Sequence, residues 1–140
     1  DYEQEHGVPA AAVNLLEKLQ EGELLVISLS EHNGSYTAAF KNTFDWLSRV
    51  ESKFFNGIRV FLMATSPGSR GGIGVLEAAR SRFPIHGADI VGHFSLPFFN
   101  DNFELEKGLI DKQLKDKLLK EILFELNSTT QLIGKNFFKK

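Results

Sequence analysis

The sequence predicts an α/β fold built on a doubly wound parallel sheet. Short apolar runs, typical of strands covered on both faces, alternate along the chain with segments of helical spacing. Alternation of this kind implies right-handed crossovers and therefore parallel strands. The 140 residues are enough for one domain with a hydrophobic core and too few for two.

The first half of the chain supplies two helices and one strand. Residues 10–20 are rich in helix-forming side chains, follow Pro9 and precede Gly22, which predicts a helix with a proline start and a glycine stop. Residues 24–29 form a strand-sized apolar run. A polar turn over residues 30–35 then leads into a helix over residues 36–50.

The second half continues the alternation. The predicted elements are a strand over residues 58–64, a loop over 65–72, a helix over 73–86, a weaker strand over 89–94 and an irregular stretch over 95–108. Asp111 is a suitable N-cap for a last helix that runs to about residue 126. The residues from 127 to 140 carry no clear signal. Three strands are few for such a sheet, whose edges need covering.

Composition excludes several classes of function. The formal net charge of −2 argues against nucleic acid as a main partner, because such proteins need a dominant basic face. The chain has no cysteine, which excludes disulfides, thiol catalysis and thiolate metal sites. The sequence shows neither a signal peptide nor a membrane-spanning run. We therefore expect a cytoplasmic protein without a nucleic-acid or membrane partner.

Two loops follow predicted strands and precede predicted helices, so both are expected at the carboxyl edge of the sheet, where ligands bind in open parallel sheets. The first loop consists of Ser30, Glu31, His32, Asn33, Gly34 and Ser35. The second consists of Ser66, Pro67, Gly68, Ser69, Arg70, Gly71 and Gly72. Glycines let the main chain approach a flat or anionic ligand. The glycine spacing matches neither a dinucleotide fingerprint nor a phosphate-binding P-loop.

Each loop also has an interpretation without a ligand. The second loop is then a flexible turn that opens a helix. In the first loop, Asn33 and Gly34 make the turn and Ser35 caps the helix. That interpretation does not explain why Glu31 and His32 stand beside the turn.

The helix over residues 36–50 has an unusually wide apolar arc. One stripe consists of Tyr36, Phe40, Phe44 and Leu47, and a neighbouring stripe consists of Ala39, Thr43, Trp46 and Val50. A helix on a sheet needs a single apolar face, so the second stripe predicts contact with a second subunit or burial under the C-terminal helix. Asp45 and Arg49, one turn apart, are expected to form a surface ion pair.

The remaining ionisable residues suggest no catalytic group. His6, His86 and His93 are scattered without metal-ligand spacing, and no Ser-His-Asp arrangement can be argued from the sequence. We therefore predict no metal site and no catalytic side chain.

Four short stretches resemble the NADPH-dependent FMN reductase family, which has a flavodoxin-like fold. The stretch from Glu31 to Ser35, followed by Phe40-Lys41-Asn42 and by residues 45–49 (DWLSR), is similar to the family pattern P-E-Y-N-G-S…L-K-N-x-x-D-W-L-S-R. Residues 66–72 resemble the family's second flavin loop, S-P-G-x-x-G-G. The resemblance covers roughly residues 1–125, and its first motif is the more specific.

The resemblance implies non-covalently bound FMN, with NADPH or NADH as co-substrate. A hydride passes from nicotinamide to flavin and then to an acceptor such as FMN, a quinone, an azo dye or a metal ion. The implied cofactor-binding residues are Ser30, Glu31, His32, Asn33, Gly34, Ser35, Ser66, Pro67, Gly68, Arg70, Gly71 and Gly72. No side chain is implied as catalytic, because the cofactor does the chemistry. A homodimer or tetramer is implied, with the Trp46 helix at the contact.

The chain departs from the family pattern in three ways. Ser30 stands in place of the family's proline, and His32 stands in place of its tyrosine. The family's first strand–helix–strand unit, with the loop that binds the FMN phosphate, has no counterpart in residues 1–140. We expect a single flavodoxin-like domain without that unit, whose strand over residues 24–29 has an unpaired apolar edge. The chain is then a fragment, a chain completed by another, or a protein that no longer binds flavin.

Two other functions remain open on sequence alone. One is a flavodoxin-like electron carrier, against which the weak net charge argues. The other is a non-catalytic dimerising domain that has lost flavin binding, which the absent phosphate loop favours. Flavin content and NADPH oxidation separate these three functions.

Overall fold

The computed structural model describes the backbone of residues 2–137 and the side chains through Asn127. In chain order the main elements are α1 (Tyr2–His6), α2 (Ala10–Gln20), β1 (Leu24–His32), β2 (Ser35–Tyr36), α3 (Ala38–Val50), β3 (Arg59–Thr65), α4 (Ile73–Arg82), a 3₁₀ turn (Phe83–His86) and β4 (Asp89–Leu96). They are followed by α5 (Phe99–Asn102), β5 (Phe103–Glu104), β6 (Gly108–Leu109) and α6 (Lys112–Phe137).

The described strands form one main sheet with the order β2-β1-β3-β4. The three long strands β1, β3 and β4 are parallel, and only the two-residue β2 is antiparallel. Helices lie on both faces of the sheet. The predicted doubly wound α/β fold is therefore confirmed.

Alternating side chains of β3 separate two hydrophobic cores, because successive residues of a strand point to opposite faces. Val60 and Leu62 are fully buried on the face covered by α2, α3 and α4. Phe61 is buried on the other face, which α6 and the stretch around β5 and β6 cover. An aromatic cluster fills the first core, in which the ring centroids of Phe44 and Phe83 are 5.2 Å apart.

The turn after β1 differs from the sequence-based prediction. The strand continues to His32 and pairs with Ser35 across a two-residue hairpin. Asn33 and Gly34 both have positive φ, 52° and 78°, as a tight hairpin turn requires. Ser35 is therefore extended, and the prediction that it caps the helix is wrong. Thr37 is the N-cap, and its side chain accepts a hydrogen bond from the Phe40 amide.

Other helix boundaries also shift. The helix predicted over residues 73–86 ends at Arg82 and continues as a 3₁₀ turn, because Pro84 has no backbone N–H to donate to a carbonyl one α-helical turn earlier. The stretch predicted as irregular contains α5 and the β5–β6 hairpin. Asp111 does cap α6, since its carboxylate accepts a hydrogen bond from the Leu114 amide at 2.9 Å. The helix then extends past the predicted end, to Phe137.

Part of the second apolar stripe of α3 meets the N-terminal helix α1. The rings of Trp46 and Tyr2 lie edge to face with centroids 6.2 Å apart.

The predicted Asp45–Arg49 pair is wrong, because Arg49 pairs with Glu3 at 2.8 Å and Asp45 pairs with Lys41 at 2.7 Å. Helix α6 packs against β4 and β6, so the alternative of burial under the C-terminal helix is also wrong.

Strand β1 has an open edge within residues 2–137. It pairs with β3 along its length, whereas β2 covers only Glu31 and His32 on its other side. The side chain of Val26 is 51% exposed. The predicted unpaired edge is therefore present in the part of the chain that the structure describes.

Candidate functional site at the carboxyl edge of the sheet

Three parallel strands end side by side at one edge of the sheet. Ser30 is level with Thr65 in the pairing of β1 with β3, and Thr65 is level with Leu96 in the pairing of β3 with β4. The two loops predicted from the sequence start at the first two of these positions. The structure thus brings both loops to the same edge, as expected.

Backbone hydrogen bonds join the second loop to the segment that follows β4. The Phe98 amide donates to the Gly68 carbonyl at 3.1 Å, and the Phe99 amide donates to the Ser66 carbonyl at 3.1 Å. The hydroxyl of Thr65 donates to the Leu96 carbonyl at 2.8 Å. These contacts join the second loop to the segment that follows β4.

Glu31 links the first loop to the helix that follows the second. Its carboxylate Oε2 accepts a hydrogen bond from the Val75 backbone amide at 2.8 Å. That amide lies in the first turn of α4, where backbone N–H groups have no helical partner and the helix dipole favours negative charge. The half-buried carboxylate therefore caps α4 and positions the two loops relative to each other.

The neighbours of Glu31 in the first loop remain accessible. Ser30, His32, Asn33, Gly34 and Ser35 are all exposed. Each of the four non-glycine residues among them carries a side chain that can donate or accept a hydrogen bond. This polar row lies beside the second loop and can contact a ligand placed over the edge of the sheet.

The glycines of the second loop fall into two groups. A Cβ at Gly71 would lie 2.4 Å from Ser95 Oγ and 2.8 Å from the Pro97 nitrogen, and a Cβ at Gly72 would lie 2.8 Å from the Cβ of Ala64. Both of these glycines are buried, and packing alone accounts for them. Gly68 is exposed, and a Cβ added there would meet nothing within 4 Å, so its backbone faces open space.

The sequence-based interpretation missed Phe98. This residue follows β4, is 45% exposed, and adopts a left-handed conformation with φ 48° and ψ 54°. Left-handed geometry is costly for a bulky side chain and is often found at functional sites. Pro97 before it was a visible turn signal, but nothing in the sequence indicated a positive φ at Phe98.

The accessible groups at this edge suit a flat, polar, uncharged ring. The exposed backbone at Gly68, the polar row of the first loop and the aromatic ring of Phe98 provide hydrogen-bonding groups and an apolar surface. Neither loop has the glycine spacing of a phosphate-binding turn. The described residues therefore fit the ring of a flavin, while they supply no recognisable cradle for its phosphate.

Other parts of the chain offer different environments. Two clefts of about 520 and 580 Å³ flank β4 and share Val91, Gly92 and His93 in their walls. Burial and the nearby cations Arg80 and Lys117 lower the pKa of His93.

No group of three His, Asp or Glu side chains that could hold a metal ion occurs among the described residues. Within that same part of the chain, no helix has the length and apolarity needed to cross a membrane.

A family profile and several curated proteins match this chain. A family profile described as NADPH-dependent FMN reductase matches residues 1–101. The Mycoplasma pneumoniae protein named "Uncharacterized protein MG342 homolog" is 28% identical over 118 residues, which are 81% of this chain and 70% of that protein. The quinone reductase of Escherichia coli K12 is 36% identical over 72 residues, which are 51% of this chain. The matched segment spans 38% of the length of that enzyme.

A solved structure supports the same fold. FerB, a flavoenzyme NAD(P)H:(acceptor) oxidoreductase from Paracoccus denitrificans, superposes with a TM-score of 0.65 at 18% sequence identity. The superposition covers 96% of this chain and 73% of FerB. At this level of identity the likeness concerns the fold, and it confirms the predicted flavodoxin-like architecture.

Proposed function

The chain belongs to the NADPH-dependent FMN reductase family, and from that premise we propose that it is part of an FMN-dependent NAD(P)H oxidoreductase. The observation that carries the proposal is the junction of two polar loops at the carboxyl edge of the sheet, tied by the 2.8 Å contact between Glu31 and the Val75 amide. This is the edge at which open α/β sheets bind ligands. When bound, FMN supplies the transfer of a hydride from nicotinamide to an acceptor.

Individual residues have distinct roles in this proposal. Asn33 and Gly34, at the polar tip of the hairpin, would contact the flavin ring. Gly68 would offer unhindered backbone to the flavin ring, and the exposed ring of Phe98 would pack against it. Glu31 is a positioning residue, since its carboxylate is already bound to α4. The other predicted residues remain in the proposed binding set, with the buried Gly71 and Gly72 shaping the backbone of the second loop.

The electron acceptor belongs to the small, flat or redox-active molecules that the family reduces. We propose a quinone, an azo compound, free FMN or a metal ion, with NADPH or NADH as the donor. The name of the quinone reductase of Escherichia coli supports a quinone as acceptor. The name of FerB, an NAD(P)H:(acceptor) oxidoreductase, leaves the acceptor general. A carrier protein in the style of flavodoxin is the alternative, and it would bind FMN without oxidising NADPH.

Flavin binding is the decisive test. The purified chain is titrated with FMN, and quenching of flavin fluorescence gives the affinity. Asn33→Ala removes a side chain that can hydrogen-bond to the ligand, and Gly34→Val strains the turn at a φ of 78°. Each is expected to weaken binding at least about tenfold. Asn14→Ala on α2 and Gly57→Val, whose φ of 83° and open surroundings match those of Gly34, are the controls.

The outcomes separate the possible functions. FMN binding with NADPH oxidation supports the reductase, and FMN binding without NADPH oxidation supports the electron carrier. Unchanged affinity in both loop variants removes the hairpin from the binding site. An intact mass and a visible spectrum of the protein purified from its source show whether a longer polypeptide carries the flavin.

We also propose that the protein is a homodimer or tetramer that uses α3. The second stripe of that helix includes Ala39 and Thr43, which are exposed, and Trp46, which is half-buried against Tyr2. Trp46→Glu is expected to shift the protein toward the monomer, because an apolar contact tolerates an unpaired charge poorly. An unchanged mass in sedimentation or light scattering excludes this helix as the contact.

A further inference from the structure

Strand β4 is the last strand of the main sheet and has an unpaired outer edge. It pairs with β3 on one side, and no strand within residues 2–137 pairs with its other side. Such an edge presents backbone N–H and C=O groups that can pair with another chain. The eight residues of β4 include no lysine and no proline, which often protect an edge, and its ladder has one irregularity, at which Val91 lacks a partner on β3. The strand therefore has little protection against pairing.

The two clefts that flank β4 leave space beside this edge on both faces of the sheet. One, of about 580 Å³, lies between β4 and α4, and the other, of about 520 Å³, lies between β4 and α6. Both have Val91, Gly92 and His93 in their walls, and these three residues are half-buried. The helices therefore do not close over the middle of the strand, and a second strand has room beside it.

Opposite charges lie about one helical turn apart beside each cleft. On α4 these are Glu77 and Arg80, and on α6 they are Lys117 and Glu121. Among the described residues, none of the four forms an ion pair. Glu121 is half-buried and the other three are exposed. All four charges are therefore available to a partner that approaches the edge of β4.

Both helices run antiparallel to β4. Helix α4 connects the end of β3 to the start of β4, and these two strands are parallel. In α6, Glu125 contacts Arg59, the first residue of β3, so the later part of this helix lies where the strands begin. The earlier charge of each helix is therefore nearer to the carboxyl edge of the sheet than the later charge.

We propose that two copies of this chain associate through the outer edges of β4, antiparallel to each other, about a two-fold axis near Gly92. This axis places each helix beside the same helix of the second copy, in the reverse direction. Glu77 of each copy then faces Arg80 of the other on one face of the sheet. On the opposite face, Lys117 of each copy faces Glu121 of the other. Each contact occurs twice, as in any isologous interface.

The order of the charges is what selects a second copy as the partner. On both helices the sign changes across the middle of the cleft, so the surface is complementary to its own reversed copy. An unrelated extended peptide would gain nothing from this reversal. The contact is independent of FMN binding and lies at the opposite side of the sheet from β1 and β2. A chain that also uses the proposed α3 contact would form a tetramer.

Charge reversal on α4 tests the contact, because this cleft holds one anion and one cation, whereas Lys120 adds a second cation to the α6 cleft. Sedimentation of the full chain should show association with a dissociation constant below about 100 μM. Glu77→Arg and Arg80→Glu each place like charges opposite each other twice, and each should raise that constant at least about tenfold. Arg82→Glu, also exposed on α4 but outside this cleft, should associate as the unmodified chain does.

Mixing the two reversed variants in equal amounts supplies the complementary test. Opposite charges then face each other at both positions, so the mixture should regain the mass of the unmodified assembly. An unmodified chain without this association, an unchanged mass in both single variants, or no recovery on mixing would overturn the proposal. If an unrelated peptide is the natural partner of this edge, the unmodified chain will not self-associate through it.

Amide hydrogen exchange tests the strand pairing itself. Exchange over residues 90–94 should slow as the concentration of the unmodified chain rises, because pairing protects the amides at the outer edge. In Glu77→Arg the same residues should exchange at a rate that depends less on concentration. Exchange that is independent of concentration in the unmodified chain would overturn the pairing of the β4 edges.

Discussion

The carboxylate of Glu31 accepts a hydrogen bond from the backbone amide of Val75, 44 positions further along the chain. Glu31 lies at the end of β1, and Val75 lies in the first turn of α4. The contact joins the two loops that the sequence predicts as the flavin site. Glu31, which the sequence predicts as a cofactor-binding residue, therefore holds the two loops of the site in position.

Removing this cap should lower stability. Glu31→Ala leaves the Val75 amide without a partner, and we expect a loss of about 1 kcal/mol in the free energy of unfolding. Glu17→Ala, at an exposed position of α2, should change it by less than about 0.5 kcal/mol. Urea denaturation measures both. If the two variants are equally stable, the contact does not persist in solution.

The glycines of the second loop should respond differently to the same substitution. Gly71→Ala forces a Cβ to 2.8 Å from the Pro97 nitrogen, where the backbone cannot give way, and should cost more than about 2 kcal/mol of stability. Gly68→Ala meets nothing within 4 Å and should cost less than about 0.5 kcal/mol. FMN affinity, by contrast, should fall in Gly68→Ala. A stability loss at Gly68 would mean that this glycine, too, serves packing.

The strain at Phe98 can be measured with two truncations. Phe98→Ala and Phe98→Gly both remove the ring, but only glycine adopts a φ of 48° without penalty. The glycine variant should therefore be the more stable of the two, by about 1 kcal/mol. Thermal unfolding provides the comparison. An alanine variant of equal or greater stability contradicts a strained backbone at this position.

Stability should depend on pH through His93. Burial, with Arg80 and Lys117, lowers its pKa in the folded chain, while Glu121 opposes the shift. The unfolded chain, with an ordinary pKa near 6.5, therefore binds a proton more readily, and stability should fall as pH drops below about 6.5. Urea denaturation between pH 8 and pH 5 should show a smaller fall in His93→Gln. Parallel pH profiles would exclude His93 as the cause.

An ion pair between β3 and α6 should contribute to the stability of the fold. The guanidinium of Arg59 on β3 binds the carboxylate and the carbonyl of Glu125, and both side chains are largely buried. Arg59→Met removes the cation of this pair and should cost about 3 kcal/mol. The double variant Arg59→Met/Glu125→Leu should regain most of that loss. If it does not, packing by the arginine stem rather than the charge pair holds the helix.

Local patterns were enough to predict much of the fold. The helix over residues 10–20 and the cap at Asp111 follow from short-range preferences, and the structure has both. The strands followed from apolar runs, because a strand buried on both faces must be apolar throughout. The position of the two polar loops at one edge followed from the parallel order alone.

Tertiary contacts decided what local patterns left open. Arg49 pairs with Glu3 rather than with Asp45 because α1 lies beside α3, which no local signal indicated. Ser35 lost the cap to Thr37 because pairing across the hairpin kept Ser35 extended.

The sequence by itself determined which segments become strands and helices, because periodicity and turn residues act over a few positions. Only the tertiary structure decided which polar groups have hydrogen-bond partners within the chain. The Glu31 carboxylate is bound to α4, whereas the buried Tyr36 hydroxyl and the buried Nε2 of His86 have no hydrogen-bond partner among the described residues. A polar side chain can stabilise the fold or bind a ligand, and its role depends on which residues distant in sequence lie beside it. Short-range sequence patterns carry no information about those distant residues.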